Sequence, residues 1–353
     1  LEIRATAGVL QANIRDGTAV ESDVRKEMRR VDREREERES FSSRFSLRWT
    51  MQTGMKFGVR LAIACVIAAG MVAWHAAGVK RSAAMAESEA VLVGAGDIAD
   101  CTDLSGAEAT EKVLAKIPGT VMAIGDLAYP DGSAANFACY DKTWGKQKSR
   151  TRPAPGNHEF NSAGAAYYFQ YFGAVAGEAS KGYYSYELGG WHIVVLNSEC
   201  DQVGGCGAGS AQEKWLREDL ATHAVACTLA YFHKPLFSSG GKHGNDLTVK
   251  PLWDALYSGG ADVVVSGHDH DYERFAPQTP EAKADAARGI REFVAGTGGK
   301  NHRPFEPAHA NSEVRNADTF GVLKLTLRPG KYAWEFMPVD GGTFRDSGEG
   351  TCH

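Results

Sequence analysis

The sequence predicts an α/β (α+β) fold, a sandwich that contains a mixed β-sheet. From residue 87 onward, short apolar runs typical of strands alternate with amphipathic stretches typical of helices. After Gly289 the chain continues in strand-like runs only. Strand–helix alternation that gives way to strands indicates a central α/β sandwich with a mixed sheet. The hydrophobic share of 43% is enough for one large domain or two small ones.

The predicted elements follow one another along this region. Strands are expected over 90–96 and 120–125, with a helix over 106–117 between them. Ser210 and Glu213 have the spacing of a capping box, which indicates the start of another helix. The remaining predicted elements are helices over 211–223 and 249–259 and strands over 191–197, 227–233, 261–268, 291–296, 320–327 and 332–339.

The N-terminal part of the chain has a different character. Residues 1–54 are rich in mixed charge and cannot build a core, so we expect a disordered extension outside the functional protein. Residues 55–86 combine a basic flank, an apolar run over 61–79 and an Ala-Met-Ala site, as a secretory signal does. That run is also long enough for a membrane anchor, which 1–54 would then precede as a cytoplasmic helix. We therefore expect an exported protein, periplasmic or extracellular, with its functional domain over 87–353.

Charge and cysteine content narrow the classes of function. A formal net charge of −5 provides no basic surplus, so nucleic-acid binding is not expected. Six cysteines lie downstream of the export signal, which favours disulfides over free thiols. The favoured pairs are Cys200–Cys206, Cys101–Cys139 and Cys227–Cys352. The first pair flanks a short glycine-rich loop, the second joins two loops at one sheet end, and the third follows by elimination.

Metal-competent side chains follow the apolar strands at a glycine or a short turn. They are Asp97, Asp126, Asn157, His233 and His268. Sites in open α/β sheets assemble beyond the carboxyl ends of strands, where such residues converge. Each block alone has a simpler interpretation, because Gly-Asp after a strand is usually a turn and a lone Tyr129 is usually packing. Their occurrence together, in order, indicates a metal centre, and His268 and His270 are expected on the same side of an extended segment.

Five sequence blocks resemble those of the calcineurin-like metallophosphoesterases. They are GDIAD (96–100), GDLAY (125–129), GNHE (156–159), YFH (231–233) and GHDHDYER (267–274). Tyr129, three residues after Asp126, together with the YER tail, is similar to the purple acid phosphatase branch. The resemblance covers the chain from about Ala90 to its C-terminus. It implies a four-layer α/β/β/α sandwich with mixed sheets and a single catalytic domain.

The resemblance also implies two metal ions that share Asp126. The first site would be completed by Asp97, Tyr129 and His270, and the second by Asn157, His233 and His268. Carboxylate and phenolate suit a hard trivalent ion, whereas imidazole and amide suit a divalent one. We therefore expect Fe(III) in the Tyr129 site and Fe(II), Zn(II) or Mn(II) in the second.

The expected activity is phosphomonoester hydrolysis of the acid phosphatase type, on a small phosphate ester. Two cations neutralise the phosphoryl oxygens and activate a water molecule. His158 and His243 are expected to assist the leaving group, although His243 could equally be a loop residue without a role. His192 and His223 are expected to be structural or at the surface. The alternatives are a phosphodiesterase on nucleotides or phospholipid head groups, and a non-catalytic surface module that binds metal or phosphate. The natural substrate and the oligomeric state are left open.

Overall fold

The computed structural model describes residues 89–223 and 225–353. The predicted charged extension (1–54) and the predicted export signal with its apolar run (55–86) therefore lie outside the described residues. Among the residues that the structure describes, no helix has the length and apolar character needed to span a bilayer.

The described residues form strands and helices with the following bounds. The strands are β1 (Ala90–Ala95), β2 (Ala99–Asp100), β3 (Thr120–Ile124), β4 (Ala128–Tyr129), β5 (Thr151–Ala154), β6 (Tyr184–Leu188), β7 (Trp191–Val195), β8 (Thr228–Tyr231), β9 (Val263–Ser266), β10 (Tyr272–Phe275), β11 (Arg291–Ala295), β12 (Ser312–Asn316), β13 (Gly321–Arg328), β14 (Lys331–Pro338) and β15 (Ser347–Thr351). The α-helices are α1 (Ser105–Leu114), α2 (Ala134–Lys142), α3 (Asn157–Phe160), α4 (Ala166–Phe172), α5 (Ala211–Thr222) and α6 (Lys250–Ser258). Short 3₁₀ helices cover Trp144–Arg150, Ala163–Ala165, Gly173–Ala176, Cys200–Gln202 and Leu247–Val249.

Two large mixed sheets carry the fold. The six-stranded sheet has the order β15-β14-β13-β1-β3-β5, in which β1, β3 and β5 are parallel and the other pairs antiparallel. The seven-stranded sheet has the order β12-β10-β11-β9-β8-β7-β6, in which β7, β8, β9 and β11 are parallel. A two-stranded parallel pair, β2 with β4, lies beside them.

The two sheets pack face to face and their outer faces are covered by helices. In β3, Met122 and Ile124 belong to the core between the sheets, whereas Val121 and Ala123 belong to the core shared with α1, α2 and α4. In β9, Val264 belongs to a third core shared with α5 and α6, and its strand neighbours face the other sheet. This period-two alternation gives each sheet two buried faces. The four-layer α/β/β/α sandwich with mixed sheets is therefore confirmed.

Helix α5 begins where predicted, but its cap differs from the expected one. The Ser210 hydroxyl accepts a hydrogen bond from the N–H of Glu213 at 3.3 Å. The Glu213 carboxylate, however, accepts from the N–H of Gly209 at 2.9 Å rather than from that of Ser210. It also pairs with Arg217 one turn later. The capping box is therefore only half formed.

The six downstream cysteines form the three predicted disulfides. They are Cys101–Cys139, Cys200–Cys206 and Cys227–Cys352, with Cα–Cα distances of 5.5, 5.0 and 5.4 Å. Cys139 lies within helix α2 rather than in a loop, so the first bridge joins that helix to the turn after β2. The third bridge joins the residue before β8 to the C-terminal end of the chain.

Candidate metal centre

The predicted ligands converge at one end of the sandwich. Asp97 follows β1 and Asp126 follows β3 in the six-stranded sheet, whereas His233 and His268 follow β8 and β9 in the seven-stranded sheet. The two groups meet directly, since His233 Nε2 lies 3.2 Å from Asp126 Oδ2. The backbone N–H of His268 donates to Asp97 Oδ2 at 2.8 Å. The site is thus built between the two sheets, beyond the carboxyl ends of parallel strands.

Three of the predicted ligands have a left-handed backbone. The φ angles are +60° at Asp97, +51° at Asp126 and +72° at His268. Such angles are uncommon in residues other than glycine, and they cluster at functional sites. The segment around His268 is therefore not extended, and the expectation that His270 lies on the same side of an extended segment is wrong. Both rings nevertheless enter the site, against different partners.

The first group of side chains surrounds the phenol of Tyr129. Its hydroxyl donates to Asp97 Oδ1 at 2.7 Å and lies 3.1 Å from Asp126 Oδ2 and 3.3 Å from His270 Nε2. All four side chains are buried. Burial, with the negative charges of Asp126 and Asp97, raises the pKa of Tyr129 well above 10.0. The pocket therefore concentrates acidic oxygens.

The second group carries imidazole nitrogens. His233 Nε2 lies 3.1 Å from His268 Nδ1, and the ligand atoms of Asp126, His233 and His268 all lie within 4.8 Å of one another. Asn157, the first residue of α3, has a buried side-chain oxygen that has no hydrogen-bond partner among the described residues. A buried amide oxygen normally has a hydrogen-bond donor or a cation as its partner, and a metal ion would satisfy this one. Asp126 Oδ2 contacts both groups and occupies the shared position.

The ionisation of the two imidazoles differs. Burial lowers the pKa of His268, and the charge of His233 lowers it further, which favours the neutral form of this imidazole. Burial also acts to lower the pKa of His233, but the adjacent Asp126 outweighs it and raises the pKa to about 10. Burial acts to raise the pKa of Asp126, but the charges of His233 and His158 hold it below its usual value.

The donor set fits two metal ions of different character. The carboxylate of Asp97 and the phenol of Tyr129 supply hard oxygen donors beside His270 on one side of Asp126. Two imidazoles and an amide oxygen supply donors for a divalent ion on the other side. The unpartnered oxygen of Asn157 supports the second position. All seven predicted ligand residues thus lie at one end of the sandwich.

The buried carboxylate of Glu159 holds the loops of the proposed metal centre together, although the sequence assigned no function to it. Glu159, in the GNHE block, accepts backbone N–H donations from Asp126 and Leu127 at 2.9 Å and from Gly156 at 2.8 Å. Burial, with the charge of Asp126, raises the pKa of Glu159 to about 8, while the donors on Gly156 and Leu127 oppose that shift. Its hydrogen bonds join the loops after β3 and β5, which carry Asp126 and Asn157.

The outer nitrogens of two predicted ligands are also fixed. His233 Nδ1 lies 3.0 Å from the carbonyl oxygen of Ile124, to which it can only donate. His270 Nδ1 lies 3.0 Å from Asn301 Oδ1. These contacts aim the opposite nitrogens at the carboxylates, as outer hydrogen bonds do in metal sites. No sequence signal pointed to Asn301.

His158 and His243 both lie beside the centre. His158 Nε2 is 3.7 Å from Asp126 Oδ2, and its side chain is 28% exposed. The ring of His243 packs against that of His268 with 3.9 Å between centroids and a tilt of 31°, and its backbone N–H donates to Asp269. Burial lowers the pKa of His243; the charge of Asp269 opposes this shift and that of Arg303 adds to it. Both predicted auxiliary residues therefore lie next to proposed ligand residues, His158 beside Asp126 and His243 beside His268.

His192 and His223 lie in a separate network. His192 is buried, with Nδ1 at 2.8 Å from Glu187 and Nε2 at 2.7 Å from Asp219. The exposed ring of His223 stacks on that of His192. This network links β6, β7 and α5, as expected for structural and surface residues.

Comparison with known proteins gives consistent matches. Residues 89–272 match the family model of the calcineurin-like phosphoesterases. Purple acid phosphatase 15 of Arabidopsis thaliana is 26% identical over an alignment of 260 residues that covers 63% of this chain and 47% of that protein. Purple acid phosphatase 18 of the same plant is 29% identical over an alignment of 160 residues that covers 43% of this chain and 35% of that protein. The chain thus spans about half the length, or less, of these curated relatives.

A solved structure shares the fold. The purple acid phosphatase PPD1 isolated from yellow lupin (Lupinus luteus) seeds aligns with a TM-score of 0.60 and 20% sequence identity. The alignment covers 75% of this chain and 54% of that chain.

Proposed function

Because this chain belongs to the calcineurin-like phosphoesterase family, we propose that it hydrolyses phosphate esters, with phosphomonoesters as its main substrates, at a dinuclear metal centre. One observation carries this proposal. A single carboxylate oxygen, Asp126 Oδ2, lies 3.1 Å from the phenolic oxygen of Tyr129 and 3.2 Å from His233 Nε2. A carboxylate between an oxygen-rich and a nitrogen-rich donor group is suited to hold two cations side by side.

The residues that would hold the ions divide into two sets around Asp126. Asp97, Tyr129 and His270 would hold Fe(III), and Asn157, His233 and His268 would hold Fe(II), Zn(II) or Mn(II). When bound, such ions supply positive charge that neutralises phosphoryl oxygens and acidifies a water molecule. Glu159 keeps the two loops that carry Asp126 and Asn157 at a fixed separation.

Two histidines are placed to donate a proton to the leaving group. Nε2 of His243 lies 2.6 Å from a guanidinium nitrogen of Arg303, which can only donate, so a neutral His243 ring carries its proton on Nδ1. Nδ1–H is then the group that can donate to a departing oxygen. His158 Nδ1 lies 2.5 Å from the carbonyl oxygen of Pro130 and donates to it, so Nε2, which lies near Asp126, can donate to the leaving group only when the ring is doubly protonated.

The proposal is tested by metal analysis combined with an assay on p-nitrophenyl phosphate and bis(p-nitrophenyl) phosphate. We expect two metal ions per chain and faster turnover of the monoester. Asp126→Asn should lose bound metal and reduce turnover to background, while the circular dichroism spectrum stays unchanged. Faster turnover of the diester would instead identify a phosphodiesterase. Bound metal without either activity would identify a non-catalytic binding module, and normal turnover in a folded Asp126→Asn variant would contradict the dinuclear centre.

We also propose that the protein works outside the cytoplasm. The six described cysteines all form disulfides, which persist in oxidising compartments. A membrane anchor over 61–79 stays a prediction, since those residues lie outside the described part of the chain.

A further inference from the structure

The segment 300–303, which follows β11, is held against the proposed metal centre by its own backbone. The N–H of Lys300 donates to the carbonyl oxygen of Asp97 at 3.0 Å, and the N–H of Arg303 lies 3.2 Å from the carbonyl oxygen of His270. The segment is therefore positioned by two of the proposed ligand residues. It carries two cationic side chains to the edge of the site.

The two cations differ in how their charge is compensated. Lys300 forms an ion pair with Asp100 and lies over the ring of Tyr129. Arg303 is half-buried and donates from Nη1 to His243 Nε2 at 2.6 Å. Within 89–223 and 225–353, Arg303 forms no ion pair with a carboxylate, and its Nη2 and Nε groups make no hydrogen bond. By contrast, Arg274 is paired with both Asp346 and Glu313. A half-buried guanidinium with free donors is able to bind an anion.

Among the described residues, the Arg303 guanidinium makes no hydrogen bond with the side chains of the seven proposed ligands. His233 contacts Asp126, His268 contacts His233, and the ring of His243 packs against that of His268. Of these side chains, His243 is the one that hydrogen-bonds to the Arg303 guanidinium. A phosphoryl group held at Asp126 would therefore leave the guanidinium for a different part of the substrate.

We infer that Arg303, together with His243, binds a second phosphate group of the substrate, so that the preferred substrates are phosphoesters that carry a further phosphate. This inference rests on the proposed phosphoesterase function. Phosphate presents several oxygens, and the guanidinium fork can meet two of them at once. His243 then has a role that differs from leaving-group assistance alone, since its Nε2 holds the guanidinium in place.

The experiment compares ligands that differ by one anionic group. Calorimetry would measure the binding of methylenediphosphonate, which has two phosphonate groups and is not hydrolysed, and of methylphosphonate, which has one. We expect Arg303→Gln to weaken methylenediphosphonate binding by roughly 10–100-fold, the range for one lost charge-assisted hydrogen bond, and methylphosphonate binding far less. Arg303→Lys should retain part of the difference. The ratio of kcat/KM for ADP to that for AMP should fall in parallel in Arg303→Gln.

Arg345→Gln is the matched control, because Arg345 is exposed and, among the described residues, hydrogen-bonds only to the backbone carbonyls of Gly342 and Phe344. It should bind both ligands as the unmodified protein does, and equal metal content after titration excludes chelation as a cause. Equal weakening of both ligands in Arg303→Gln would place Arg303 on the reacting phosphoryl group and overturn the inference, as would unchanged binding of both. If the protein binds methylenediphosphonate through Arg303 yet hydrolyses no ester, the proposed function fails while the anion site stands.

Discussion

Tyr129 supplies the phenol oxygen that would favour Fe(III) in the proposed first metal position. Its phenolic oxygen lies 2.7 Å from Asp97 Oδ1 and 3.3 Å from His270 Nε2, and its ring packs 4.3 Å from that of His158. A phenolate bound to Fe(III) absorbs visible light, so we expect the iron-loaded protein to be violet. Tyr129→Phe should lose the visible band because the other donors remain but the phenolate is gone. An absorption spectrum together with iron analysis checks this, and a colourless active protein that contains only zinc or manganese would contradict it.

The sequence identified the side chains that end a strand but not those that reach the site from elsewhere. Asp97 and Asp126 were visible because a glycine and an acid directly follow apolar runs. Glu159 stood in a recognised block, yet its partners are backbone N–H groups from another loop, which no local pattern reveals. Asn301 and Arg303 reach the site only because the chain after β11 folds back onto His270. Tertiary structure alone brings these residues into contact.

The loop that joins β5 to α3 packs so closely against the proposed metal centre that Gly156 has no room for a side chain. A Cβ atom on Gly156 would lie 2.4 Å from both the backbone nitrogen and Oδ1 of Asp126, and 2.9 Å from Cδ2 of His233. The φ angle of Gly156 is −121°, so the need for glycine is steric and not conformational. Glycine here lets the Asn157 loop approach the Asp126 loop closely.

Gly156→Ala should therefore displace Asp126 and His233 while leaving the sheets intact. A displacement of about 1 Å at a reacting group costs roughly 10²-fold in rate, so we expect a loss of that order in turnover together with reduced metal content. Gly207→Ala is the control, because a Cβ atom on Gly207 would have no other described residue within 4 Å beyond its chain neighbours. Full metal content and activity in Gly156→Ala would show that the two loops can separate without consequence.

Apolar periodicity predicted the central strands and missed the polar ones. The runs at β1, β3, β7, β8 and β9 are almost wholly buried, which gives them continuous apolar sequences. Strand β15 has the sequence SGEGT and is a strand only because it pairs with β14 at the edge of its sheet. Helix α2 likewise has little amphipathic pattern, although Ser133 and Asn136 form a capping box at its start. Strand β15 and helix α2 therefore form because of strand pairing and helix capping, and not because of a hydrophobic pattern.

Across the molecule, the centre depends on how the two sheets are stacked. Asp97 and Asp126 come from the six-stranded sheet, whereas His233 and His268 come from the seven-stranded one. The sheets are held together by a core that includes residues of both, such as Ile124 and Val265. The sequence predicted a sandwich and a mixed sheet, but not the strand order, because β13 joins β1 across more than two hundred residues of chain. Such distant pairing leaves no local signature.

The longest of the three disulfide loops among the described residues is closed by the bridge from Cys227 to Cys352. It spans 125 residues, whereas the bridge from Cys200 to Cys206 spans 6. In the chain-entropy account, loops of these lengths stabilise the native state by about 5 and about 2 kcal/mol respectively. The longer bridge also holds the end of the edge strand β15 beside the strand that leads to His233.

We therefore expect the double variant Cys227→Ala/Cys352→Ala to lose more free energy of unfolding than Cys200→Ala/Cys206→Ala. Each variant removes one fully buried cysteine, since Cys227 is 1% and Cys206 is 2% exposed. The loss of packing around the buried sulfur atom is therefore similar in the two variants. Urea unfolding monitored by fluorescence measures both, and the difference should be about 2–3 kcal/mol in the chain-entropy account. Removal of the longer bridge should also loosen the His233 strand and lower metal retention at sub-denaturing urea. Equal losses in the two variants would mean that β15 and its pairing with β14 hold the C-terminal end without the disulfide.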